Sequence, residues 1–159
     1  VRFIQINLNR SWGALDLLRQ YMVEADIGLA IVAEPPSRLE ESNTYFKSLN
    51  DLAAILWRPE GLNNLSCRVL ERGHGFVIAQ MGNVCVTSCY VSPNVNNDIF
   101  CRTLDNLSNS ISRLATQPFL VCGDFNAHST LWGSATSNRR GELVARWSAM
   151  LDLRLLNTG

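Results

Sequence analysis

The sequence has no CxxC pair, no long apolar run, no excess charge of either sign and only two histidines in 159 residues. Each absence removes a class of protein. Five cysteines (Cys67, Cys85, Cys89, Cys101 and Cys122) are odd in number and lie in or beside apolar runs, so they read as small core hydrophobes in a reducing compartment rather than as a zinc site. No apolar run approaches the roughly 18 residues of a membrane span, and the first residues lack the charged-then-apolar plan of a signal peptide. Fourteen basic residues balance fourteen acidic ones. That neutrality argues against nucleic-acid binding by global electrostatics and leaves room for a metal-dependent site with local phosphate contacts. Internal repeats, low-complexity tracts and linkers are missing too, and the length suits one domain that can bury its own core.

What is present centres on residues 119–132, FLVCGDFNAHSTLW. Phe119, Leu120, Val121 and Cys122 form a short apolar run of the kind that makes a fully buried strand, and Gly123, Asp124, Phe125 and Asn126 follow at once. A carboxylate and a carboxamide thus sit at the rim of a buried sheet, just past a strand's carboxyl end, where open α/β sheets place their chemistry. His128 lies two residues further on. In isolation an Asp and an Asn after a strand are ordinary turn formers, so the rest of the chain decides their meaning.

Residues 1–7, VRFIQIN, carry apolar side chains on both faces and predict a buried strand that ends on Asn7. Ser11 can cap a helix running to Glu24, with Leu15, Leu18 and Met22 at helical spacing as core packing. Residues 27–33, IGLAIVA, predict a second buried strand, which stops at Glu34 before Pro35 and Pro36. Proline biases its predecessor away from the helical region, which predicts an extended Glu34 at the strand's end. Two near-continuously apolar strands joined by a helix make a βαβ unit, and a parallel pair puts Asn7 and Glu34 at the same edge.

Residues 39–50 read as a loop with a short helical piece. Strand-like segments at 53–57, 67–70, 76–81 and 84–91, parted by tight turns, predict antiparallel hairpins. Tyr90 closes the last of them, either as a core anchor or as a hydroxyl in reach of a phosphate oxygen. A helix from Asp98 to about Ala115 follows, with Ile99, Leu104, Leu107, Ile111 and Leu114 toward the core. After Trp132 a polar loop brings Arg139 and Arg140 to a further helix, residues 141–151, and a strand-like LRLLN precedes Gly159.

Asn7, Glu34, Tyr90, Asp124 and Asn126 all fall at or just past the carboxyl ends of predicted strands. Phosphodiester hydrolysis needs such a set: a hard cation on a carboxylate, a second carboxylate to orient or deprotonate the attacking water, and neutral donors for phosphate oxygens. Glu34, with Asn7, suits the metal. Asp124, with Asn126, suits the water. Few ligands, all oxygen, favour magnesium, with manganese as a substitute.

Asn7 after a first strand, Glu34-Pro35 after a second, Tyr90-x-x-Pro93-Asn94, and above all Gly123-Asp124-Phe125-Asn126 resemble the exonuclease-endonuclease-phosphatase superfamily in order and spacing. The longer stretches INLNR, GDFNAHSTLWGS and LRLLNTG are similar to the apurinic-type endonuclease domains of non-LTR retrotransposons, the insect site-specific group in particular. The resemblance implies a four-layer α/β sandwich, deoxyribonuclease-like, of two packed mixed sheets with outer helices. It implies that Glu34, with Asn7, binds the divalent metal, that Asp124 and Asn126 act on nucleophile and phosphate, and that Tyr90 and Asn7 support the site. The activity implied is nicking of double-stranded target DNA, in the nucleus after synthesis in the cytoplasm. The 3′-hydroxyl left behind would prime the reverse transcriptase part of the same polyprotein. No membrane is implied.

DNA readout in such folds sits in surface loops, which here makes Asn9, Arg10, Asn94, Asn138, Arg139 and Arg140 the candidate DNA contacts. The family's domain also closes with an SDH motif whose histidine stabilises the phosphorane, and no SDH occurs in these 159 residues. Residues 1–159 are therefore expected to be the N-terminal two thirds of a family domain, missing its C-terminal part. His128, inside the FNAH segment, is expected to play a supporting or structural role. An abasic-site repair nuclease or a lipid or inositol phosphodiesterase of the same superfamily would use the same core residues. A catalytically incomplete DNA-docking module is the reading of another class.

Overall fold

The computed structural model describes residues 1–114 and 117–157, which form two four-stranded sheets packed face to face with helices on both outer faces. In the first sheet, strand β1 (Phe3–Asn7) runs parallel to β2 (Leu29–Ala33), β2 pairs antiparallel with β4 (Ala53–Trp57), and β4 with the short β3 (Tyr45–Lys47). The second sheet takes β5 (Cys67–Gly73), β6 (Phe76–Met81), β7 (Val84–Tyr90) and β8 (Phe119–Asp124) in that order, antiparallel until the parallel β7–β8 pair. Helix α1 (Trp12–Glu24) covers the first sheet, while α2 (Asn97–Leu114) and α3 (Arg139–Met150) cover the second. This α/β/β/α layering is the expected four-layer sandwich.

Alternation along the strands sorts the core into three layers. In β2, Ala30 and Val32 face α1 beside Leu15, Leu18 and Met22, whereas Leu29 and Ile31 face the other sheet. Ile55, Val77, Ala79 and Val86 complete that middle layer, all essentially without solvent exposure. On the outer face of the second sheet, Ile78 and Cys89 meet Phe100, Leu104 and Leu107 of α2 and Trp147 of α3. Burying a side chain such as Phe100 contributes about 2–3 kcal/mol. Ser11 caps α1 by accepting from the Ala14 amide at 3.1 Å, as its position suggests.

Several expectations are corrected by the sheet order. β1 and β8 are edge strands, so neither is fully buried: Phe3, Gln5 and Asn7 are exposed, and within the β8 run only Cys122 is buried. Apolar runs alone cannot tell a central strand from an edge strand. Within residues 39–50 the expected helical piece is instead the strand β3. In α2 the core position belongs to Phe100, four residues before Leu104 and so on its face, while Ile99, five before it, points away and is 42% exposed. The expected end at Ala115 lies outside the described residues. Residues 153–157 form no strand, and Thr158 and Gly159 lie outside the described residues as well.

All five cysteines are free thiols, and Cys67, Cys85, Cys89 and Cys122 are buried. Burial pushes the Cys67 thiol up to about 12 and Cys122 to about 11; Cys89 also reaches about 12, through burial first and the Asp124 carboxylate second. The thiolate is the reactive form. The native chain should therefore show one fast-reacting thiol, Cys101, and five after denaturation without reductant. Two or more fast thiols in the native state would contradict this packing.

Candidate active site

The two parallel pairs, β1–β2 and β7–β8, end at the same edge of the sandwich. Asn7 is the register partner of Ala33, one residue before Glu34, and Tyr90 is the partner of Asp124. The Tyr90 hydroxyl crosses the gap between the sheets and donates to Glu34 Oε1 at 2.5 Å. Below it the ring packs with Ala33 and Ala53, small residues that leave room for it. A crevice of about 160 Å³ opens between the sheets beside this bridge, lined by Gln5, Asn7, Ser88, Cys89, Gly123 and Asp124 among others. The fold thus gathers all five residues that sequence reasoning placed at strand ends.

Two of them adopt left-handed backbone. Glu34 has φ of 49°, not the extended geometry expected before a proline. Tertiary hydrogen bonds override the local preference: the Glu34 amide donates to Leu52 O at 2.9 Å, and its carbonyl accepts from the Arg10 amide at 2.8 Å. Asn126 has φ of 48°, and its amide donates to Asp124 Oδ1 at 2.9 Å while its side-chain Nδ2 donates to Val91 O at 2.7 Å. Such conformations cost on the order of 1–3 kcal/mol each for residues other than glycine and persist where the surroundings over-determine them. The Asp124–Asn126 turn is therefore both an Asx turn and a fixed presentation of the carboxylate.

Gly123 has φ of 139°, and a Cβ there would lie 1.9 Å from Cys89 O. Only glycine fits the strand just before the acid. Its amide donates to Gln5 Oε1 at 3.1 Å and its carbonyl accepts from Gln5 Nε2 at 2.9 Å, so one carboxamide from β1 satisfies both backbone groups on the edge of β8. Sequence reasoning passes over Gln5. The signal is a carboxamide at the centre of an otherwise apolar strand, and it becomes meaningful only when the opposite sheet is known.

Burial, then the hydrogen bond to Glu34 and the Glu34 and Asp124 charges, push the Tyr90 phenol up to about 12, with the Asn126 amide opposing. Tyr90 is thus a firm neutral donor. Glu34 keeps Oε2 for another ligand, because Tyr90 occupies Oε1. Among the described residues no three His, Cys, Asp or Glu side chains gather into a metal cluster. Glu34, the Asn7 carboxamide and the Asp124 carboxylate supply oxygen donors only, which fits a hard cation that keeps several waters better than it fits zinc. Asn7 Oδ1 also accepts from the Asn9 amide at 2.7 Å, which fixes the carboxamide's orientation.

The remaining candidates divide. Asn9, Arg10, Asn94 and Arg139 are exposed. Asn138 is exposed but spends its Oδ1 as the cap of α3, accepting from the Gly141 amide at 2.9 Å and the His128 amide at 3.1 Å. His128 is held by its backbone, and its exposed imidazole makes no hydrogen bond among the described residues. Arg140 is 9% exposed and buried under loop carbonyls, which corrects its place among the surface DNA contacts. Charge on a polar loop does not reveal which of two adjacent arginines turns inward.

Residues 84–159 match the family model described as Endonuclease-reverse transcriptase. No curated protein matches the chain in sequence. Among solved structures, the "Endonuclease domain of TRAS1, a telomere-specific non-LTR retrotransposon" has the same fold, with a TM-score of 0.84 and 22% identity, over 98% of this chain and 73% of that one. The family model spans just under half of the chain, and at this identity the structural likeness shows a shared fold.

Tyr90→Phe removes the bridge and leaves a partly buried carboxylate short of one donor. A hydrogen bond to a charged group contributes about 1.5–3 kcal/mol, and denaturant unfolding at neutral pH should show a loss of that order. Because the folded state holds the Tyr90 proton to about 12 whereas a solvated tyrosine releases its proton near 10.0, this stability is complete below pH 10 and falls as pH rises toward 12. The gap between wild type and Tyr90→Phe should narrow across that window. A gap that is absent at neutral pH, or constant to pH 12, would contradict the bridge.

Proposed function

We propose that this chain is a metal-dependent endonuclease domain that nicks one strand of target DNA and leaves a 3′-hydroxyl to prime reverse transcription during retrotransposon integration. The observation that carries the reading is the Tyr90–Glu34 bridge, which joins a cation-binding carboxylate to the sheet that ends in Asp124 and Asn126. The family match over residues 84–159 supports a nuclease that works beside a reverse transcriptase, and the strand-end chemistry supports hydrolysis of a phosphodiester.

Magnesium or manganese, when bound, would supply Lewis-acid stabilisation of charge on the phosphate; Glu34 and Asn7 would hold it. Asp124 orients the attacking water and takes its proton, held in place by the Asn126 amide. Asn126, fixed to Val91 O through Nδ2, presents the rest of its carboxamide beside Asp124. Tyr90 stays protonated through the neutral range and keeps Glu34 aimed. Asn9, Arg10, Asn94 and Arg139 contact the DNA backbone, and the Asn138 Nδ2 is a further donor at the same rim. With fourteen basic and fourteen acidic residues in the chain, attraction to phosphate has to come from such local arginines. Action on chromosomal DNA would put the work of the domain in the nucleus.

Nicking of supercoiled plasmid, with magnesium and with chelator, tests the reading directly. Nicking is expected only with the metal, and Asp124→Ala should lower the rate by about 10²- to 10⁴-fold, the usual range for a general base. DNA binding that persists without metal and without nicking, unaffected by Asp124→Ala, would replace the nuclease with a docking module. Magnesium binding measured by calorimetry should weaken in Glu34→Ala; unchanged affinity would remove Glu34 as the ligand.

A further inference from the structure

The first turn of α3 does something that neither the motifs nor the family match assign. Arg140 Nη1 donates to Ser92 O at 2.9 Å, and Nη2 donates to Val95 O at 2.6 Å and to Pro93 O at 3.4 Å. Its guanidinium carbon stands 4.8 Å from the centre of the fully buried Phe100 ring of α2. Among the described residues no carboxylate pairs with it. A buried cation offset only by carbonyl dipoles and a ring face costs desolvation, so packing alone is a poor reason for it to be there.

Its neighbours grip the other loop. The Asn138 amide donates to His128 O at 2.9 Å, and Asn138 Oδ1 accepts from the His128 amide, so residue 128 is held at both backbone groups. At Gly141 a Cβ would lie 1.7 Å from His128 O, which makes any side chain there incompatible with the approach. Residues 138–141 thus touch the loop after β7 through Arg140 and the loop after β8 through Asn138 and Gly141. Those loops carry Asn94 and Asn126, and the Asn126 amide donates to Asp124 Oδ1.

We propose that Asn138, Arg140 and Gly141 are positioning residues, a clamp that sets the loop at 92–95 against the loop at 126–129 and so fixes the surface that receives the scissile strand. Arg140 acts through three carbonyls and does not touch the phosphate itself. Its flat fork of donors matches convergent acceptors in a way a lysine's point charge does not. The consequence for cleavage rests on the nuclease reading; the clamp itself does not.

The test compares Arg140→Met, Arg140→Lys and Asn138→Ala with wild type, with Arg139→Ala as the surface control. Hydrogen exchange read by mass spectrometry should show residues 92–97 exchanging about tenfold faster in Arg140→Met, while β2 and β6 keep wild-type protection. Arg140→Lys should fall between, and Asn138→Ala should loosen residues 126–132 instead. The salt dependence of DNA affinity should be unchanged in Arg140→Met but flattened by about one ion in Arg139→Ala. Nicking should lose about 10- to 100-fold in kcat with little change in KM, the signature of misplacement rather than lost binding. Unchanged exchange at 92–97, or a salt slope that drops in Arg140→Met as it does in Arg139→Ala, would overturn the clamp. Should Arg140→Met not fold, the split between the two loops in Arg140→Lys and Asn138→Ala decides the matter. Absence of nicking by wild type would sink the nuclease reading and leave the exchange result to judge the clamp.

Discussion

Apolar packing between two sheets is non-directional, so the registry of this sandwich depends on the few hydrogen bonds that cross it. Tyr90 to Glu34 is the shortest of them, Gln5 to Gly123 and Arg72 to Glu41 are each two-point, and Ser88 Oγ adds a contact to Val32 O at 3.4 Å. Leu29, Ile31, Ile55, Val77 and Val86 provide the bulk of the attraction between the layers. The polar contacts decide where the layers stop. A slip of one residue in either parallel pair would turn Tyr90 away from Glu34 and Asn7 away from the crevice, because strand side chains alternate.

Registry then fixes chemistry that could otherwise drift. Glu34 and Asn126 stand in left-handed backbone, and each is held by partners on other elements: Leu52 and Arg10 for the glutamate, Val91 for the asparagine. Strain of this kind relaxes when its restraints are removed, so the restraints are part of the site. Acid, amide and phenol are thereby held in one arrangement by the fold itself.

The charge distribution follows the same division between holding and meeting. Arg140 is committed to carbonyls and Arg58 to Asp26 and Ile27 O, whereas Arg139 has only a 3.5 Å contact to Glu142 with both side chains more than half exposed. An exposed pair of that kind contributes little. A chain with no net charge can therefore still present local positive potential at the site's rim, beside exposed Arg10 and Asn94.

By itself the sequence determined the elements and the candidates. Apolar runs marked β1, β2, β6, β7 and β8, helical spacing marked α1, and polar residues at or just past the ends of such runs marked Asn7, Glu34, Tyr90, Asp124 and Asn126. These are local properties, set by what each segment must bury and where it stops. Tertiary structure decided the rest. Edge positions exposed β1 and β8, residues 43–57 closed on themselves so that β3 formed where a helical piece was expected, and long-range hydrogen bonds turned Glu34 left-handed despite Pro35. Gln5 and Arg140 found their roles only across gaps of 118 and 45 to 48 residues, since a donor's meaning depends on which orphaned backbone group the fold brings to it.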